Sequence, residues 1–165
     1  MFTKQDLQKP PVLRDKNMSK RGYFGIGIWN YMHEVNIGTL FRSAYALGAD
    51  FIYTIGRAYR KQSSDTVYSA RHLPLMNYPS IDDFLAHLPK MARLISVEIA
   101  PNAFKLSTFV HPERAIYLLG SEGQTLPQRI LEKSLVVQIP SSVCLNVSVC
   151  GSIVLYDRIS KMENK

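Results

Sequence analysis

The first segment with chemical potential ends in an arginine: residues Asn36 to Arg42, with the sequence NIGTLFR. A planar guanidinium can clamp a phosphate or stabilise a developing oxyanion. Asn36 has the residue type of a helix cap, and Gly38 leaves room for a substrate or another chain. Gly38 and Arg42 are four residues apart and would share one helix face. On these residues alone, a capped helix with an ordinary surface arginine is the simpler interpretation.

The second segment is a glycine-containing loop, Leu119 to Gly123, with the sequence LGSEG directly after an apolar run. Small residues at the end of a strand make a tight loop whose backbone N–H groups can face a ligand. The loop matches neither the dinucleotide pattern GxGxxG nor the phosphate-binding pattern GxxxxGK. A plain turn between a strand and a helix explains the same residues, so this segment is a weak signal by itself.

The third segment, Ile139 to Ser148 with the sequence IPSSVCLNVS, joins a strand to a helix through a hydroxyl-rich loop. Asn146 and Ser148 place polar groups at the head of an otherwise apolar helix. The apolar stripe of that helix is wider than a surface helix requires, which indicates burial on more than one side. A dimer interface and a central core position explain the width equally well. The stripe comprises Leu145, Val149, Ile153 and Tyr156, widened by Val147, Cys150 and Val154.

The sequence carries no pattern of metal or serine-hydrolase chemistry. Its four histidines have no metal-ligand spacing such as HExxH, so we expect no metal site. No GxSxG elbow is present. Cys144 could act as a nucleophile, but no neighbouring feature activates its thiol, and a small packing residue is the simpler interpretation.

Alternating strand-like and helix-like segments predict an α/β fold with a mostly parallel sheet flanked by helices. The length of 165 residues predicts one domain over residues 1–165, with a polar, basic arm at residues 1–21. Strands are predicted over residues 22–29, 51–55, 74–78, 93–99, 115–119 and 135–139. Helices are predicted over residues 36–48, 80–87, 127–133 and 145–161. The first ends at Gly48, the second has Ser80 as its N-cap, and the third has Pro127 at its first helical position. Residues 56–71 and 101–114 are predicted to be loops, each with room for one turn of helix.

The net charge of +7 is concentrated in two segments. Residues 1–22 carry six cationic and two acidic side chains, and residues 57–71 carry four cationic and one acidic. Both an RNA-binding surface and two merely solvated faces fit this distribution. If RNA binds, the arm and the second segment are expected to hold its phosphates. The cations of the second segment are Arg57, Arg60, Lys61 and Arg71.

Cysteine usage and hydropathy bear on the cellular compartment. The only cysteines are Cys144 and Cys150, which would be too far apart for a disulfide if both lay in the last helix. No uninterrupted apolar run reaches the ~18 residues of a membrane span, and the N-terminus lacks the apolar middle of a secretory signal. We therefore expect free thiols, no membrane association and a cytoplasmic location.

Taken in order, the three segments resemble the motifs of the SpoU (TrmH-like) branch of the SPOUT RNA methyltransferases. The matching strings are NxGxxxR at residues 36–42, LLGSEG at 118–123, and IP at 139–140 followed by LNVSV at 145–149. The resemblance covers residues 22–161. It implies a parallel α/β fold with a C-terminal trefoil knot, an exception to the general absence of knots. It also implies a homodimer, S-adenosylmethionine as the methyl donor and the ribose 2′-hydroxyl of RNA as the acceptor.

The resemblance also implies roles for individual residues. Arg42 looks like the catalytic arginine, Asn36 would hold the first-motif loop beside it, and Glu122 and Asn146 would shape the same site. The adenosine of the cofactor would be gripped largely through backbone groups. The residues that match those positions are Val97, Gly120, Ile139 and Leu145, and Cys144 beside them is a fifth candidate for cofactor binding.

The third segment departs from the family pattern at one residue and in its length. Cys144 stands next to the cofactor positions, where the family commonly has serine, and the loop before Asn146 is shorter than in common members. Because a thiol donates poor hydrogen bonds, a contact made there by serine would weaken or move to Ser141 or Ser142.

The combined expectation is an RNA ribose 2′-O-methyltransferase. tRNA is the expected substrate, because the chain has no appended RNA-binding domain, as in the smallest tRNA-acting relatives. An enzyme that acts on rRNA and a non-catalytic RNA-binding dimer of the same fold are the alternatives.

Overall fold

The structure is a computed structural model that describes residues 22–163, so the arm predicted at residues 1–21 lies outside the described residues. Seven strands form one sheet, and every pair of neighbouring strands is parallel. The strand order is β3-β2-β1-β6-β4-β7-β5. The strands are β1 (Phe24–Trp29), β2 (Phe51–Ile55), β3 (Leu75–Tyr78), β4 (Arg93–Val97), β5 (Phe104–Lys105), β6 (Ala115–Leu119) and β7 (Leu135–Gln138).

The two central strands explain why the sheet is parallel and covered on both faces. β1 reads FGIGIW and β6 reads AIYLL, and every residue of the two strands is buried except the half-buried Trp29. Such continuous apolar runs are typical of parallel strands with helices on both sides. The predicted α/β class with a parallel sheet is confirmed, whereas the trefoil knot and the extent of the domain stay predictions.

Helices cover both faces of the sheet. They are α1 (Glu34–Ala46), α2 (Ile81–Ala86), α3 (Gln128–Leu131) and α4 (Val147–Glu163). The apolar sides of α1 and α4 share one buried cluster with β1, and those of α2 and α3 lie in the other. Within the described residues, no helix combines the length and apolar character that crossing a bilayer requires.

The predicted helix ends are partly right. Gly48 follows the C-cap of α1 with φ +78°, and the Ser80 hydroxyl accepts a hydrogen bond from the Asp83 backbone N–H, both as predicted. Asn36 is not the cap of α1, because the helix begins two residues earlier at Glu34. Pro127 precedes α3 as its N-cap rather than occupying the first helical position.

α1 and α4 pack closely because one residue at their contact has no side chain. A Cβ atom added to Gly151 of α4 would lie 2.2 Å from Cδ1 of Leu40 in α1. The Ser152 hydroxyl donates to the Ser43 hydroxyl across the same contact at 2.9 Å. The heads of the two helices therefore lie side by side, and their outward faces form one continuous surface.

The wide apolar stripe predicted for the last helix divides into two faces. Val147 and Val154 are buried against the sheet, whereas Val149, Ile153 and Tyr156 are exposed. α4 is therefore not a helix buried on all sides within one chain. The exposed face is the part that a second chain would have to cover.

The C-terminal half of α4 is held by a buried polar network. The Arg158 guanidinium is 1% exposed and donates to the backbone carbonyls of Pro112 and Glu113 at 2.6 and 2.7 Å. His111 lies between the Tyr117 hydroxyl, 2.6 Å from its Nδ1, and the Asp157 carboxylate, 2.8 Å from its Nε2. Burial lowers the pKa of His111, which outweighs the opposing effect of Asp157, so the imidazole is neutral at physiological pH.

One short strand lies where the sequence predicts a loop, whereas the turn of helix allowed in each predicted loop is present. β5 pairs with β7 at the edge of the sheet, and single 3₁₀ turns span residues 69–71 and 106–108. Two- and three-residue elements carry no periodicity, so the sequence pattern cannot distinguish them from a loop. Cys144 lies in the loop before α4 rather than in the helix, and both cysteines are free thiols.

Candidate functional site

A cavity of about 480 Å³ opens at the carboxyl ends of β4, β6 and β7, beside the head of α4. Open α/β sheets bind their ligands at this edge. All five predicted cofactor-binding residues line the cavity, because the strand ends and the loops that follow them meet here. They are Val97, Gly120, Ile139, Cys144 and Leu145. Their binding role stays a prediction.

A chain of hydrogen bonds joins the three candidate segments at the mouth of the cavity. Nδ2 of Asn36 donates to Oε1 of Glu122 at 2.6 Å, and Nδ2 of Asn146 donates to Oδ1 of Asn36 at 2.9 Å. The backbone N–H of Met32 donates to the other Glu122 oxygen at 3.0 Å. We call Asn36, Glu122 and Asn146 the amide–carboxylate network. Residues that are up to 110 positions apart in the chain are thereby fixed relative to one another.

The carboxylate of this network is ionised. Partial burial raises the pKa of Glu122, but the hydrogen bonds from Asn36 and from the Met32 backbone outweigh it and the net pKa is lowered. Because both oxygens accept hydrogen bonds, Glu122 orients Asn36 rather than standing free as a base.

Asn146 has a second structural role at the head of α4. Its Oδ1 atom accepts hydrogen bonds from the Ser148 backbone N–H at 2.9 Å and from the Ser148 hydroxyl at 2.6 Å. These contacts satisfy an N–H group that the first turn of a helix leaves unpaired. The same amide therefore caps α4 with its oxygen and holds Asn36 with its nitrogen.

Glu98 is a lining residue that the sequence reasoning missed. Its two carboxylate oxygens accept hydrogen bonds from the backbone N–H groups of Ile99 at 3.0 Å and Leu126 at 3.1 Å. A Cβ atom on Gly120 would lie 3.2 Å from Oε2 of Glu98, so the carboxylate and the glycine meet in the cavity wall. The strand predicted over residues 93–99 includes this position, and an acidic residue near the end of an otherwise apolar strand is the sequence signal that could have identified it.

The cavity wall also contains a hydroxyl without a partner. Oγ of Ser121 is buried and forms no hydrogen bond with any residue in the described part of the chain. Cys150 also lines the cavity, where burial raises the pKa of its thiol and the neighbouring Cys144 adds to the rise. No three His, Cys, Asp or Glu side chains among residues 22–163 group as a metal site. The lining therefore mixes apolar side chains with polar ones, among them the carboxylates of Glu98 and Glu122.

Arg42 does not line this cavity within one chain. It is exposed on the outward face of α1, together with Val35 and Ala46 and beside the half-buried Thr39, all at helical spacing. Within residues 22–163, its side chain forms no hydrogen bond or ion pair. The catalytic role of Arg42, and its placement against a cofactor cavity, stay predictions.

The four predicted RNA-binding cations are exposed, but their surroundings differ. Arg57 forms an ion pair with Glu34 and lies 4.9 Å from the centre of the Tyr31 ring. Lys61 and Arg71 both contact the ring of Tyr68. The Arg60 guanidinium forms no hydrogen bond or ion pair among the described residues.

Comparison with known proteins gives one family and several similar folds. The model of the SpoU rRNA Methylase family matches residues 24–156. No curated protein matches the chain. A structure solved in work on the 2-OH methylation of C/U34 on tRNA has a TM-score of 0.75 and 22% identity, covering 88% of this chain and 99% of that one.

Two longer proteins share the fold over most of this chain. The SpoU methyltransferase AviRb from Streptomyces viridochromogenes has a TM-score of 0.72 and 22% identity, covering 86% of this chain and 60% of its own length. An AdoMet-bound rRNA methyltransferase from Sinorhizobium meliloti has a TM-score of 0.75 and 20% identity, covering 86% of this chain and 57% of its own length. This chain therefore spans less than two thirds of either protein, and at these identities the likeness establishes the fold.

Proposed function

Because the chain belongs to the SpoU rRNA Methylase family, we propose that it transfers a methyl group from S-adenosylmethionine to a ribose 2′-hydroxyl of RNA. The observation that carries the proposal is the amide–carboxylate network. It holds the three motif segments together at the mouth of a cavity at the strand ends. Such a geometry can fix a donor in the cavity relative to an acceptor at its mouth.

The residues of the cavity fit the proposed cofactor. Ile139 and Leu145 contribute apolar wall for an adenine ring, and Gly120 has no side chain that would stand between its backbone and a ligand. The Glu98 carboxylate can accept hydrogen bonds from hydroxyl or amino groups of the ligand, and the buried Ser121 hydroxyl lies in the same wall without a partner among residues 22–163. When bound, S-adenosylmethionine supplies an electrophilic methyl group on a sulfonium.

The acceptor requires help, because a ribose 2′-hydroxyl is a poor nucleophile at neutral pH. An arginine keeps its charge at physiological pH, so Arg42 is not an ordinary base. Two roles fit its planar fork. It clamps the adjacent phosphate and stabilises the developing alkoxide, or it passes the proton on through that phosphate. Glu122 and Asn36 are positioning residues that set the mouth of the cavity.

A homodimer explains how Arg42 could reach a bound cofactor, although it does not line the cavity of its own chain. The outward faces of α1 and α4 expose Val35 at 61% and Tyr156 at 65%, and Val149 and Ile153 extend the same apolar surface. Arg42 lies on this surface, and the cavity mouth lies at the heads of the same two helices. A two-fold contact between copies would bury the apolar face and bring each Arg42 towards the partner's cavity.

tRNA is the substrate that the comparisons favour. The protein from the study of tRNA 2-OH methylation matches this chain over 99% of its own length, whereas the rRNA methyltransferase is much longer. The family description names rRNA, which keeps rRNA as the alternative substrate.

The test uses the purified full chain, tritium-labelled S-adenosylmethionine, and bulk tRNA or rRNA as acceptor. Methylation of the 2′-hydroxyl blocks alkaline cleavage of the adjacent phosphodiester, so we expect the label in alkali-resistant dinucleotides from tRNA. Label in mononucleotides would instead indicate base methylation and contradict the proposal. Mapping the ribose methylations lost from total RNA in a deletion strain identifies the nucleotide. Calorimetry with S-adenosylmethionine tests the non-catalytic alternative, since a mere RNA-binding dimer need not hold the cofactor.

A further inference from the structure

Tyr68 combines an unfavourable backbone with an exposed ring. Its φ angle is +53°, in the left-handed region that bulky residues rarely adopt. Among the non-glycine residues in 22–163, Asn30 is the other one with a positive φ angle, and asparagine tolerates the left-handed region well. Burial of a side chain can offset such strain, yet the Tyr68 ring is 38% exposed. Strained backbone that packing does not explain is concentrated at functional sites.

The chain around Tyr68 is held in place by a buried carboxylate. Asp65 is 1% exposed and accepts hydrogen bonds from the Ser69 backbone N–H at 2.9 Å, the Ser69 hydroxyl at 2.8 Å and the Tyr59 hydroxyl at 3.1 Å. The Tyr68 backbone N–H donates to the Asp65 carbonyl, and its own carbonyl accepts from Arg71. The ring therefore projects from a well-ordered support.

Two cations lie on the ring. Nζ of Lys61 is 3.9 Å from the ring centre, and Cζ of Arg71 is 5.0 Å from it. All three side chains are exposed. Cation–π contacts at exposed sites are weak, so phosphates or a base can displace the cations from the ring at little cost. An aromatic face between cations is the combination that binds single-stranded nucleic acid.

The segment that carries Tyr68 docks against the start of α1. Nε2 of Gln62 donates to Oε2 of Glu34 at 3.3 Å, and the Ser64 hydroxyl donates to the Val35 carbonyl at 2.9 Å. Gly38 makes this contact possible, since a Cβ atom there would lie 2.2 Å from Oγ of Ser64. The first turn of α1 also carries Asn36, so the ring and the cavity mouth belong to neighbouring parts of one surface.

We propose that Tyr68 stacks on an unpaired nucleobase of the RNA substrate, while Lys61 and Arg71 bind the phosphates on either side of that nucleotide. The three residues are called the base clip below. The clip rests on the proposed RNA substrate and adds a preference for single-stranded or looped RNA near the methylated ribose. Stacking is tolerant of sequence, so the clip selects the unpaired state rather than a base.

The test measures binding of the full chain to a fluorescein-labelled 12-nucleotide RNA of mixed sequence, alone and annealed to its complement. Tyr68→Ala should weaken binding of the single strand by about five-fold or more and leave duplex binding unchanged, because paired bases cannot stack on the ring. Tyr68→Phe should bind as the wild type does. The double variant Lys61→Ala/Arg71→Ala should weaken both probes, since phosphates are present in both.

Tyr68→Gly separates a binding role from a structural one. Glycine adopts positive φ without strain, so the variant should melt at the same temperature as the wild type or higher, yet lose affinity for the single strand. Val67→Ala, an exposed neighbour outside the clip, is the matched control and should change neither quantity. A Tyr68→Ala variant that binds both probes like the wild type, or weakens both equally, overturns the clip.

The failure of the clip and the failure of the proposed function give different results. A wild-type chain that binds neither RNA and transfers no methyl group to tRNA or rRNA refutes the RNA methyltransferase and the clip together. A wild-type chain that methylates RNA, with Tyr68→Ala matching its single-strand affinity, refutes the clip alone.

Discussion

Asn36→Ala tests whether the amide–carboxylate network positions the reaction or only stabilises the fold. The change removes the donor to Glu122 at 2.6 Å and the acceptor for Asn146 at 2.9 Å. Both partners keep other hydrogen bonds, to the Met32 backbone N–H and to Ser148 respectively. The loops can therefore separate without leaving a buried polar group unpaired.

The expected cost in stability is small. A hydrogen bond to a charged group contributes about 1.5–3 kcal/mol and a neutral one about 0.5–1.5 kcal/mol. Both bonds are exposed, so water replaces much of each, and alanine gains about 0.5 kcal/mol of helix propensity in α1. We expect a net loss of about 1 kcal/mol. For a chain of this length, that lowers the melting temperature by about 2–4 °C.

The expected cost in activity is much larger. A displacement of about 1 Å at a reacting centre can reduce the rate about 100-fold, so we expect kcat to fall 10- to 100-fold with little change in the KM for S-adenosylmethionine. Loss of the Asn36 donor also removes one of the contacts that lower the pKa of Glu122.

The assay is methyl transfer to RNA, measured beside thermal and urea unfolding. The matched control is Gln128→Ala, which removes an exposed amide-to-carboxylate hydrogen bond to Glu132 in the α3 region of the chain. A double-mutant cycle with Glu122→Gln should give a coupling energy above about 0.5 kcal/mol, as expected for residues in direct contact. If Asn36→Ala keeps kcat within two-fold of the wild type at the expected melting temperature, the network is structural and the positioning argument is wrong.

Four further changes test other parts of the proposal. Arg42→Lys keeps the charge but loses the planar fork, so kcat should fall about 10-fold or more with unchanged cofactor affinity in calorimetry; near-normal turnover would exclude a role for the fork. Tyr156→Lys places a charge on the exposed apolar face of α4, so sedimentation should show a shift from dimer to monomer. A wild-type chain that is already monomeric at micromolar concentration would contradict the homodimer. Glu98→Gln should weaken cofactor binding about 5- to 50-fold without altering RNA affinity, and equal affinity would show that the carboxylate only holds its loop. The pKa of His111 is lowered in the folded chain, so the histidine is protonated in the unfolded chain first as the pH falls. The free energy of unfolding that this residue contributes should be fully present above about pH 6.5 and decline below it. Urea unfolding of His111→Gln should show a flatter decline in that free energy between about pH 7 and 5.

The strands were predictable because their signals are local. β2 and β6 match the predicted spans at both ends, since each is a short run of apolar residues between turn-forming residues. β5 was not predictable in the same way, because its two residues are exposed and gain strand geometry only from pairing with β7. Pairing with a distant edge leaves no periodic trace in the sequence.

The cavity was predictable as a group of loops, but its polar contacts were not. Parallel strands place their carboxyl ends at one edge, so loops after β6 and β7 had to meet. Asn36 has the residue type of a cap, yet its partners come from loops 86 and 110 residues away. Glu98 is held by the backbone of Leu126, 28 residues later. Long-range hydrogen bonds of this kind depend on the fold and not on neighbouring residues.

α1 and α4 couple the proposed dimer to the proposed chemistry. Their heads carry Asn36 and Asn146, which set the cavity mouth, and their outward faces carry Arg42 and the exposed apolar surface. A second copy that packs on this surface would therefore constrain the same two helices that position the acceptor. Without that contact, the chain keeps its cavity but presents its guanidinium to solvent. A monomeric variant should therefore bind the cofactor and yet transfer methyl groups poorly, because in the proposed dimer the two halves of the reaction site belong to different chains.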